Sequence, residues 1–542
     1  MPLHPNSLHY GDNLEVLRNR DDFPNDSIDL IYLDPPFNSK RDYNVIYKTP
    51  AGHDSDSQIT AFEDSWHWGE QAEREYHELV RQSNTDLSEL IQSFRKFLKE
   101  TDMMAYLIMM ANRLLEMNRV LKPAGSLYLH CDPTASHYLK IVLDGVFGKE
   151  NFRNEIAWKR TPFSGSSKAL ARQYPKSHDI LFFYSKTITG TWTWNTPKNP
   201  YSSKYLARFK HDDKDDRGPY RLTLLKTYSE ETFERLKKEN RLVPPTKGSY
   251  WSYKQYLSES PGYTQVDDIW VDINALNPMA TERLGYPTQK PLTLLERIIQ
   301  ASSNEGDVVL DPFCGCGTAV HAAQKLKRKW IGIDITHLAI SLIEKRMKDA
   351  FSGISFDVHG VPKDFEGAVD LAKRDKYQFQ WWACSLVNAQ PYQGKKKGSD
   401  TGIDGLIFPS EYSGEAPKKI IVSVKGGEHV GSAMIRDLKG VVDREKAIIG
   451  LFITLTEPTR DMMKEATAAG FHEVGEKQYP KIQILTIKGL LEGRETPKYF
   501  DQNIVKGSGG FKKAKREVTT RKKKSIPFTS MDGESIAAED EV

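Results

Sequence analysis

The stretch "VVLDPFCGCGTAV", residues 308–320, decides the fold. A short apolar run ends in Asp311, and Gly315 and Gly317 then lie directly before an alanine-rich segment that predicts a helix. Glycine lets the backbone approach a ligand closely, and the positive end of a helix dipole favours polar or anionic groups. The stretch therefore predicts a strand, a ligand-binding turn and a helix. No GxGxxG and no P-loop lysine is present, which disfavours dinucleotides and ATP.

The segments around this turn repeat the pattern of strand and helix. The next strand, "KWIGIDI", ends in Asp334, 17 residues after Gly317. An acid about 20 residues after a glycine-rich turn is the usual partner of ribose hydroxyls. At the start of the chain, "SLHYGDNLEVL" and "DSIDLIYLDPPF" predict strand, turn, helix and strand, with Asp12 either at the site or as a helix N-cap. This alternation predicts an α/β protein with a parallel, doubly wound sheet.

A second strand end has unusual chemistry. In "DLIYLDPPFNSK", residues 29–40, an apolar run meets an acid, two prolines and an aromatic residue. Proline fixes φ and removes a backbone donor, so the strand must stop there. A buried acid without a partner is costly. The stretch therefore predicts a strand that delivers a rigid polar turn to a site.

Composition sets the class of protein. The chain has 542 residues, 39% hydrophobic and 27% charged, which indicates two or three globular domains. The net charge is only +3, so a nucleic-acid surface must be a local patch. The four cysteines form no CxxC pair, and no signal peptide or long apolar run is present. We therefore expect a reduced, cytoplasmic protein with no membrane part.

Three other regions differ in character. Residues 50–100 are polar and predict a long surface excursion. Residues 160–280 interleave basic and aromatic side chains, as in "YSSKYLARFKHDDKDDRGPYRL". A further region begins at 351, with a helix in "YQFQWWACSLVNAQ" and strands in "KKIIVSVKGG" and "AIIGLFITLT". The tail 501–542 contains "KKAKREVTTRKKK" and is predicted to be disordered.

Two motifs together are more specific than either alone. Asp34-Pro35-Pro36-Phe37 resembles the catalytic motif, and residues 313–317 the FxGxG cofactor motif, of the S-adenosylmethionine-dependent amino methyltransferases that act on DNA. "GYPTQKPLTLLERII" resembles the family's segment before the cofactor loop. The order of the motifs resembles the circularly permuted β-class. This resemblance implies a Rossmann-like domain at 1–350 with an inserted target-recognition region at 160–280.

The resemblance also implies roles for individual residues. Asp12 would meet the adenine edge of the cofactor and Asp334 its ribose, while Asp311 would accept from the methionine ammonium. The implied cofactor residues are Asp12, Thr288, Gln289, Lys290, Asp311, Phe313, Gly315, Gly317 and Asp334.

The chemistry of an exocyclic amine explains the catalytic motif. Its lone pair is delocalised into the ring, so a catalyst must accept its hydrogens. The Asp34 carboxylate and the Pro35 carbonyl supply two acceptors, Pro36 makes the turn rigid, and Phe37 offers a face on which a flipped base can stack. Catalysis is then largely positioning. No Pro-Cys nucleophile is present, which excludes a 5-cytosine methyltransferase.

The substrate prediction is adenine N6 in double-stranded DNA, because the family's cytosine-N4 enzymes more often carry serine at the first position. Cytosine N4, a protein glutamine or RNA substrate, and a DNA-binding protein with inactive sites remain alternatives. A homodimer and a separate restriction subunit are left open. The predicted phosphate contacts are Lys159, Arg160, Lys168, Arg172 and Lys176.

The region 351–500 resembles the Mrr-like branch of the PD-(D/E)xK nucleases. In "GIDGLIF" and "IIVSVKGG" the resemblance implies that Asp404 binds Mg²⁺ and Lys425 orients the attacking water. The position normally held by Glu, Asp or Gln is Ser423, a poor ligand for Mg²⁺. Asp400 and Glu366 are the alternative acidic ligands for the metal ion. We therefore expect an α/β nuclease-like domain that either cleaves DNA, in a fused restriction-modification enzyme, or docks onto it.

Overall fold

The computed structural model describes most of the chain, and side chains are described everywhere except at 41–48 and 54–64, where only the backbone is. The described residues are 3–36, 41–48, 54–64, 68–160, 174, 176–188, 192–245, 250–277, 280–284, 286, 288–392, 402–409 and 418–501. The predicted disordered tail lies outside them beyond Asp501.

The strands, in chain order, are β1 (Ser7–Tyr10), β2 (Ile28–Leu33), β3 (Arg41–Lys48), β4 (Asp54–Asp64), β5 (Leu121–Cys131), β6 (Phe152–Lys159), β7 (His178–Ser185), β8 (Lys198–Pro200), β9 (Tyr220–Leu224), β10 (Leu242–Val243), β11 (Ser252–Tyr256), β12 (Tyr263–Gln265), β13 (Ile269–Trp270), β14 (Val308–Asp311), β15 (Lys329–Asp334), β16 (Asp357–His359), β17 (Gln390–Pro391), β18 (Gly405–Ile407), β19 (Ile420–Lys425), β20 (Ile449–Thr454), β21 (Phe471–Val474), β22 (Lys477–Pro480) and β23 (Ile482–Thr486).

The helices are α1 (Asn13–Arg18), α2 (Glu70–Arg81), α3 (Thr85–Leu98), α4 (Asp102–Val120), α5 (Ser136–Phe147), α6 (Ser203–Leu206), α7 (Glu230–Lys238), α8 (Leu292–Ser302), α9 (Thr318–Lys325), α10 (His337–Ala350), α11 (Phe365–Arg374), α12 (Lys376–Leu386), α13 (Ser432–Arg444), α14 (Arg460–Ala468) and α15 (Ile487–Leu491).

A nine-stranded sheet forms the first domain, in the order β13-β6-β7-β5-β2-β14-β15-β1-β16. The central strands β5, β2, β14, β15 and β1 run parallel to one another. They are joined in the chain by helices, which pack on the sheet because each buries an apolar stripe. The predicted doubly wound α/β fold is confirmed. β14 lies beside β2 although the two are far apart in sequence, so the strand order switches between them.

The sheet is mixed at one side, which the sequence analysis did not foresee. β7 pairs antiparallel with both β5 and β6. Its sequence, "HDILFFYS", is almost fully buried and belongs to the main sheet, although it lies inside the predicted target-recognition region. β13 also joins the main sheet, whereas β8 to β12 form two small separate sheets. The inserted part of the described chain is therefore shorter than residues 160–280.

The polar region 50–100 was predicted as a surface excursion, and this was wrong for its second half. Helix α3 carries a buried face that includes Leu87 and Ile91, and this face joins the core beside α4. Leu87, Ile91 and Phe94 repeat at helical spacing, but the charged residues between them dominate the local composition. The high proportion of polar and charged residues therefore made an amphipathic helix look like a surface segment.

The C-terminal domain has a five-stranded sheet in the order β17-β18-β19-β20-β23. The predicted helix in "YQFQWWACSLVNAQ" is α12, and the predicted strands are β18, β19 and β20. β19, β20 and β23 run parallel, with α13 between the first two and α14 before the third. The predicted α/β character of this domain is confirmed.

The two domains share one hydrophobic core. A single cluster of buried side chains includes Ile343 and Met347 of α10, together with Phe379 and Trp382 of α12. The backbone N–H of His337, at the start of α10, donates to the Gln378 side chain at 3.2 Å. β16 also extends the first sheet past residue 350, so we place the boundary between the domains after His359. The domains are thus joined by packing as well as by the chain.

All four cysteines are buried and none is in a disulfide. Burial raises the pKa of each thiol, those of Cys131, Cys314 and Cys384 well above the ordinary value. The thiols are therefore uncharged and shielded in the folded chain. Within the described ranges, no helix combines the length and the apolar character that a bilayer crossing requires.

Candidate active site

Three carboxylates mark the carboxyl edge of the central sheet. Asp34 directly follows β2, Asp311 ends β14 and Asp334 ends β15, and these three strands are parallel neighbours. In open α/β sheets, ligands bind outside the carboxyl ends of the strands where the strand order switches. The switch between β2 and β14 therefore places the two sequence motifs at one site.

The glycine-rich turn is built as the sequence predicts. Gly315 and Gly317 have φ of +50° and +72°, in the left-handed region that disfavours side chains. A Cβ on Gly317 would lie 2.8 Å from the Ile343 side chain, and one on Gly315 would lie 3.3 Å from the Tyr286 ring. Gly317 directly precedes α9, so the turn presents backbone to the site at the positive end of that helix.

Asp334 fastens this turn to the next strand. Its Oδ2 accepts from the Gly315 N–H at 2.9 Å, and its Oδ1 accepts from the Thr336 N–H and hydroxyl, both at 2.8 Å. Burial raises the pKa of Asp334 to about 6, against these hydrogen bonds, which lower it. The carboxyl group therefore changes charge close to physiological pH.

Asp311 is the most secluded of the three acids. Its Oδ1 accepts from the Phe313 N–H at 3.1 Å. Burial raises its pKa well above the ordinary value, and the nearby carboxylates of Asp34 and Asp334 raise it further. Three acids at neighbouring strand ends favour a cation beside them.

Asp12 sits at the end of β1, as predicted, but its carboxylate is engaged elsewhere. It caps α1 by accepting from the Leu14 N–H at 2.8 Å. Both oxygens also accept from the buried Arg113 guanidinium, at 2.8 and 2.7 Å. Its predicted contact with the adenine edge of the cofactor stays a prediction. Arg113, which lies in the apolar helix α4, was not identified from the sequence.

The two carboxylate oxygens of Asp34 differ in their hydrogen bonding. Oδ2 accepts from the Lys290 ammonium. Oδ1 is buried and has no hydrogen-bond partner among the described residues. A buried carboxylate oxygen without a donor is costly unless a ligand supplies one. Phe37, the fourth residue of the motif, lies outside the described residues, whereas Pro35 and Pro36 follow Asp34 as irregular backbone.

The segment 282–290 brings Lys290 to Asp34. The Gln289 amide donates to the Glu282 carbonyl at 2.8 Å and accepts from the Leu284 N–H at 2.9 Å. Thr288 has φ of +62°, which is rare for a β-branched residue. The predicted cofactor contacts of Thr288, Gln289 and Lys290 stay predictions; in this structure the Gln289 amide closes a loop and Lys290 meets the catalytic motif.

A buried chain of polar side chains beside Asp34 was missed in the sequence analysis. The Tyr32 hydroxyl lies 3.0 Å from His130 Nδ1, and His130 Nε2 lies 3.2 Å from Asp179 Oδ2. Burial raises the pKa of Tyr32, and the charge of Asp34 raises it further. The available signal was that His130 and Asp179 are polar residues at the ends of apolar strands β5 and β7.

The predicted phosphate contacts are only partly described. Lys159 and Lys176 are exposed near the ends of β6 and β7, whereas Lys168 and Arg172 lie outside the described residues. Arg160 Nε lies 3.1 Å from the buried Asp179, so its guanidinium is already paired. Lys159 and Lys176 keep the prediction of a phosphate role.

The nuclease-like residues lie on neighbouring strands. Asp404 precedes β18, and its Oδ2 accepts from the Val424 N–H of β19 at 2.7 Å. Lys425 ends β19, and the buried Ser423 stands two positions before it. Glu366 is exposed in α11, and Asp400 lies outside the described residues. Among the described side chains no group of three or more His, Cys, Asp or Glu could hold a metal ion.

Comparison with known proteins agrees with this architecture. The DNA methylase family model matches residues 28–345, and a restriction endonuclease model matches residues 371–490. The chain therefore belongs to the DNA methylase family, with a restriction-endonuclease-like domain of the Mrr type at its C-terminal end. The predicted resemblance to both groups is confirmed.

Curated relatives match a little under two thirds of the chain. The Type II methyltransferase M.EcaI of Enterobacter cloacae is 29% identical over 368 residues, which cover 63% of this chain and 69% of that protein. The Type II methyltransferase M.BamHI of Bacillus amyloliquefaciens is 25% identical over 342 residues, 63% of this chain and 57% of that protein. The matches thus span 69% and 57% of the length of these two relatives.

Solved structures of methyltransferases show weaker overall likeness. The complex of M1.HpyAVI with SAM has a TM-score of 0.32 and 16% identity, covering 63% of this chain and 98% of that one. The cytosine-N4-specific PvuII DNA methyltransferase has a TM-score of 0.34 and 14% identity, covering 66% and 96%.

Proposed function

We propose that this protein is a site-specific DNA methyltransferase of a restriction-modification system, which transfers a methyl group from S-adenosylmethionine to adenine N6. The single observation that carries the proposal is the buried Oδ1 of Asp34, which has no hydrogen-bond partner within the described part of the chain and lies at the strand end beside the glycine-rich turn. Membership in the DNA methylase family and the Type II methyltransferases among its relatives support the same reaction.

The residues of the site fit the cofactor. The left-handed turn at Gly315 and Gly317 would present backbone to the methionine part, and Asp334 would hold the ribose hydroxyls. The buried Asp311 carboxyl would accept from the methionine ammonium, whose positive charge favours its ionised form. The cofactor supplies an electrophilic methyl group on a sulfonium.

Asp34 performs the central step on the substrate. Its Oδ1 and the Pro35 carbonyl accept the two hydrogens of the amine, which directs the nitrogen lone pair out of the ring plane. The proline pair fixes both acceptors, so little reorganisation is needed when the base enters. The amine proton released on transfer passes to Asp34 and from there to solvent. The base must be flipped out of the duplex to reach this position.

Double-stranded DNA is the partner that this chemistry requires, and Lys159 and Lys176 meet its phosphates. A cytoplasmic location follows from a chromosomal or invading DNA substrate. A homodimer and a separate restriction subunit remain predictions of the sequence.

The first test identifies the target. With labelled S-adenosylmethionine and DNA, RNA or protein as acceptor, we expect label in DNA alone. Digestion of that DNA to nucleosides should give N6-methyldeoxyadenosine by mass spectrometry. A product of N4-methyldeoxycytidine alone would overturn the adenine assignment, and label in RNA or protein alone would overturn the DNA assignment.

The second prediction concerns the ribose acceptor. Asp334→Ala should weaken binding of S-adenosylmethionine by roughly 1–3 kcal/mol, because ribose donors lose their acceptor. The ionised carboxyl is the better acceptor, so wild-type affinity should fall as the pH drops below the Asp334 pKa of about 6. Calorimetry between pH 5 and 8 measures both effects.

Asp334→Asn isolates this dependence on pH, because Asp311 remains in both proteins. The asparagine variant should lose the change in affinity that accompanies protonation of Asp334. Asp364→Asn, which alters the N-cap of α11, is the control and should bind like wild type. Equal affinities for wild type and Asp334→Ala would remove the ribose role.

A second activity is suggested by the adjacent Asp404 and Lys425. Mg²⁺ prefers several hard oxygen ligands, and the described residues supply one carboxylate, with Ser423 in place of another. The site therefore does not fit a complete divalent-metal centre. We expect DNA cleavage to be weak, to need added Mg²⁺ or Mn²⁺, and to depend on the methylation state of the DNA.

The experiment compares wild type, Asp404→Ala and Lys425→Ala on methylated and unmethylated DNA, with and without metal. Cleavage should disappear in both variants while methyl transfer persists. If wild type never cuts, the domain is a docking module, and variants on its surface should weaken DNA binding in a gel-shift assay. Point variants are needed because removing the domain would expose the shared core.

A further inference from the structure

The ion pair between Lys290 and Asp34 joins two parts of the chain that are remote in sequence. Lys290 is only 9% exposed, and its ammonium donates to Asp34 Oδ2. A buried lysine must be paired, because its bare charge is costly in the interior. The pairing leaves Asp34 Oδ1 as the oxygen without a partner among the described residues.

The loop that carries Lys290 is held firmly. The Gln289 side chain bonds to the backbone of residues 282 and 284, and the Glu282 carboxylate accepts from the Leu292 N–H at 3.4 Å at the start of α8. Thr288 keeps a φ of +62° next to Gln289. Backbone held in a sparsely populated region persists only where its surroundings enforce it, and it often marks a functional site. The position of the ammonium is therefore fixed by the fold.

The charges around Asp34 show why a cation is needed there. Asp311, at the end of the neighbouring strand β14, and Asp34 act on each other as like charges. Lys290 is the cation that acts on both Asp311 and Asp179. Without it, the like charges of Asp34 and Asp311 would have no opposing cation from this loop.

From these contacts we infer that Lys290 is a positioning residue for methyl transfer: it binds Asp34 Oδ2 and thereby directs Oδ1 toward the target amine. This inference rests on the proposed function and assigns Lys290 to the catalytic acid instead of the methionine end of the cofactor. A rotated Asp34 side chain would present no acceptor to the amine hydrogens.

The test compares Lys290→Met with Lys122→Met. Lys122 pairs with Asp29, near the opposite end of the same strand β2, at 2.8 Å to both oxygens, and it therefore provides a matched control. In Lys290→Met, kcat at saturating DNA and cofactor should fall roughly 10²-fold, since small misplacements cost that much.

Binding measurements distinguish the two roles of Lys290. We expect the dissociation constant of S-adenosylmethionine to stay within about threefold of wild type, because the ammonium contacts Asp34. In an Asp34→Asn background, Lys290→Met should cause no further loss of kcat. Lys122→Met should leave kcat unchanged.

Lys290→Gln keeps a donor without the charge, and it serves if the methionine variant does not fold. It should retain a higher kcat than Lys290→Met, because its amide can still donate to Asp34 Oδ2. An unchanged kcat in both folded variants, or a loss confined to cofactor affinity, would overturn the positioning role alone. Absence of methyl transfer by wild type to any DNA would instead overturn the proposed function, and this inference with it.

Discussion

Replacing Asp34 with alanine is expected to lower kcat for methyl transfer by roughly 10²–10⁴-fold, the usual contribution of a positioned acid-base group. Oδ1 of the carboxylate has no hydrogen-bond partner among the described residues. The interaction that the alanine variant loses at this oxygen is therefore the one with the substrate amine. Affinity for S-adenosylmethionine should change little, because the glycine-rich turn is held by Asp334. Single-turnover transfer of labelled methyl groups measures the first quantity, and calorimetry the second.

Asp34→Ala also leaves the buried Lys290 ammonium without its carboxylate, so folding must be checked separately. Asp34→Asn keeps the shape of the side chain and removes only the charge, and it should show a similar loss of kcat. Asp29→Asn is the matched control, since Asp29 forms the corresponding ion pair near the start of β2. Retention of more than about a tenth of wild-type turnover by both Asp34 variants, when folded, would exclude Asp34 as the amine acceptor.

Truncating Trp382 to alanine should destabilise the whole chain by about 3–5 kcal/mol, the cost of removing a large buried aromatic side chain. Trp382 is 1% exposed and belongs to the hydrophobic cluster that continues from α12 into α10. Because the cluster is continuous, the loss should appear in both domains. Chemical denaturation followed by far-UV circular dichroism and by methyl transfer should give the same lowered midpoint.

Trp194, which is 46% exposed, provides the comparison, and Trp194→Ala should change stability by less than about 0.5 kcal/mol. Two separate unfolding transitions in wild type, with only the C-terminal one affected by Trp382→Ala, would show that the domains unfold independently. Methyl transfer would then persist at denaturant concentrations that unfold the C-terminal domain.

The sequence was sufficient for the features that local chemistry dictates. The turn at Gly315 and Gly317 needs left-handed backbone, and the strand end at Asp34 needs prolines to stop it, so both could be located by residue type alone. The alternation of apolar runs and amphipathic segments was enough to predict a doubly wound α/β sheet. Asp404 and Lys425 were placed on adjacent strands for the same reason.

Features that depend on contacts between distant segments could not be found in this way. β7 was overlooked because its apolar run is embedded in basic and aromatic residues, and its antiparallel pairing depends on β5 and β6. The ion pair between Asp12 and Arg113 forms only because α4 packs beside α1. Lys290 reaches Asp34 only after the loop 282–290 has folded, so its sequence neighbours suggested a cofactor contact.

The burial of all four thiols makes this protein a convenient subject for chemical labelling. A maleimide should react only when a segment opens, because each sulfur is shielded and its pKa is raised. Cys131, Cys314 and Cys316 would report on the methyltransferase sheet and its cofactor turn, and Cys384 on the nuclease-like domain. The order in which these four positions acquire label during gentle heating would trace where the chain first loosens, without any engineered probe.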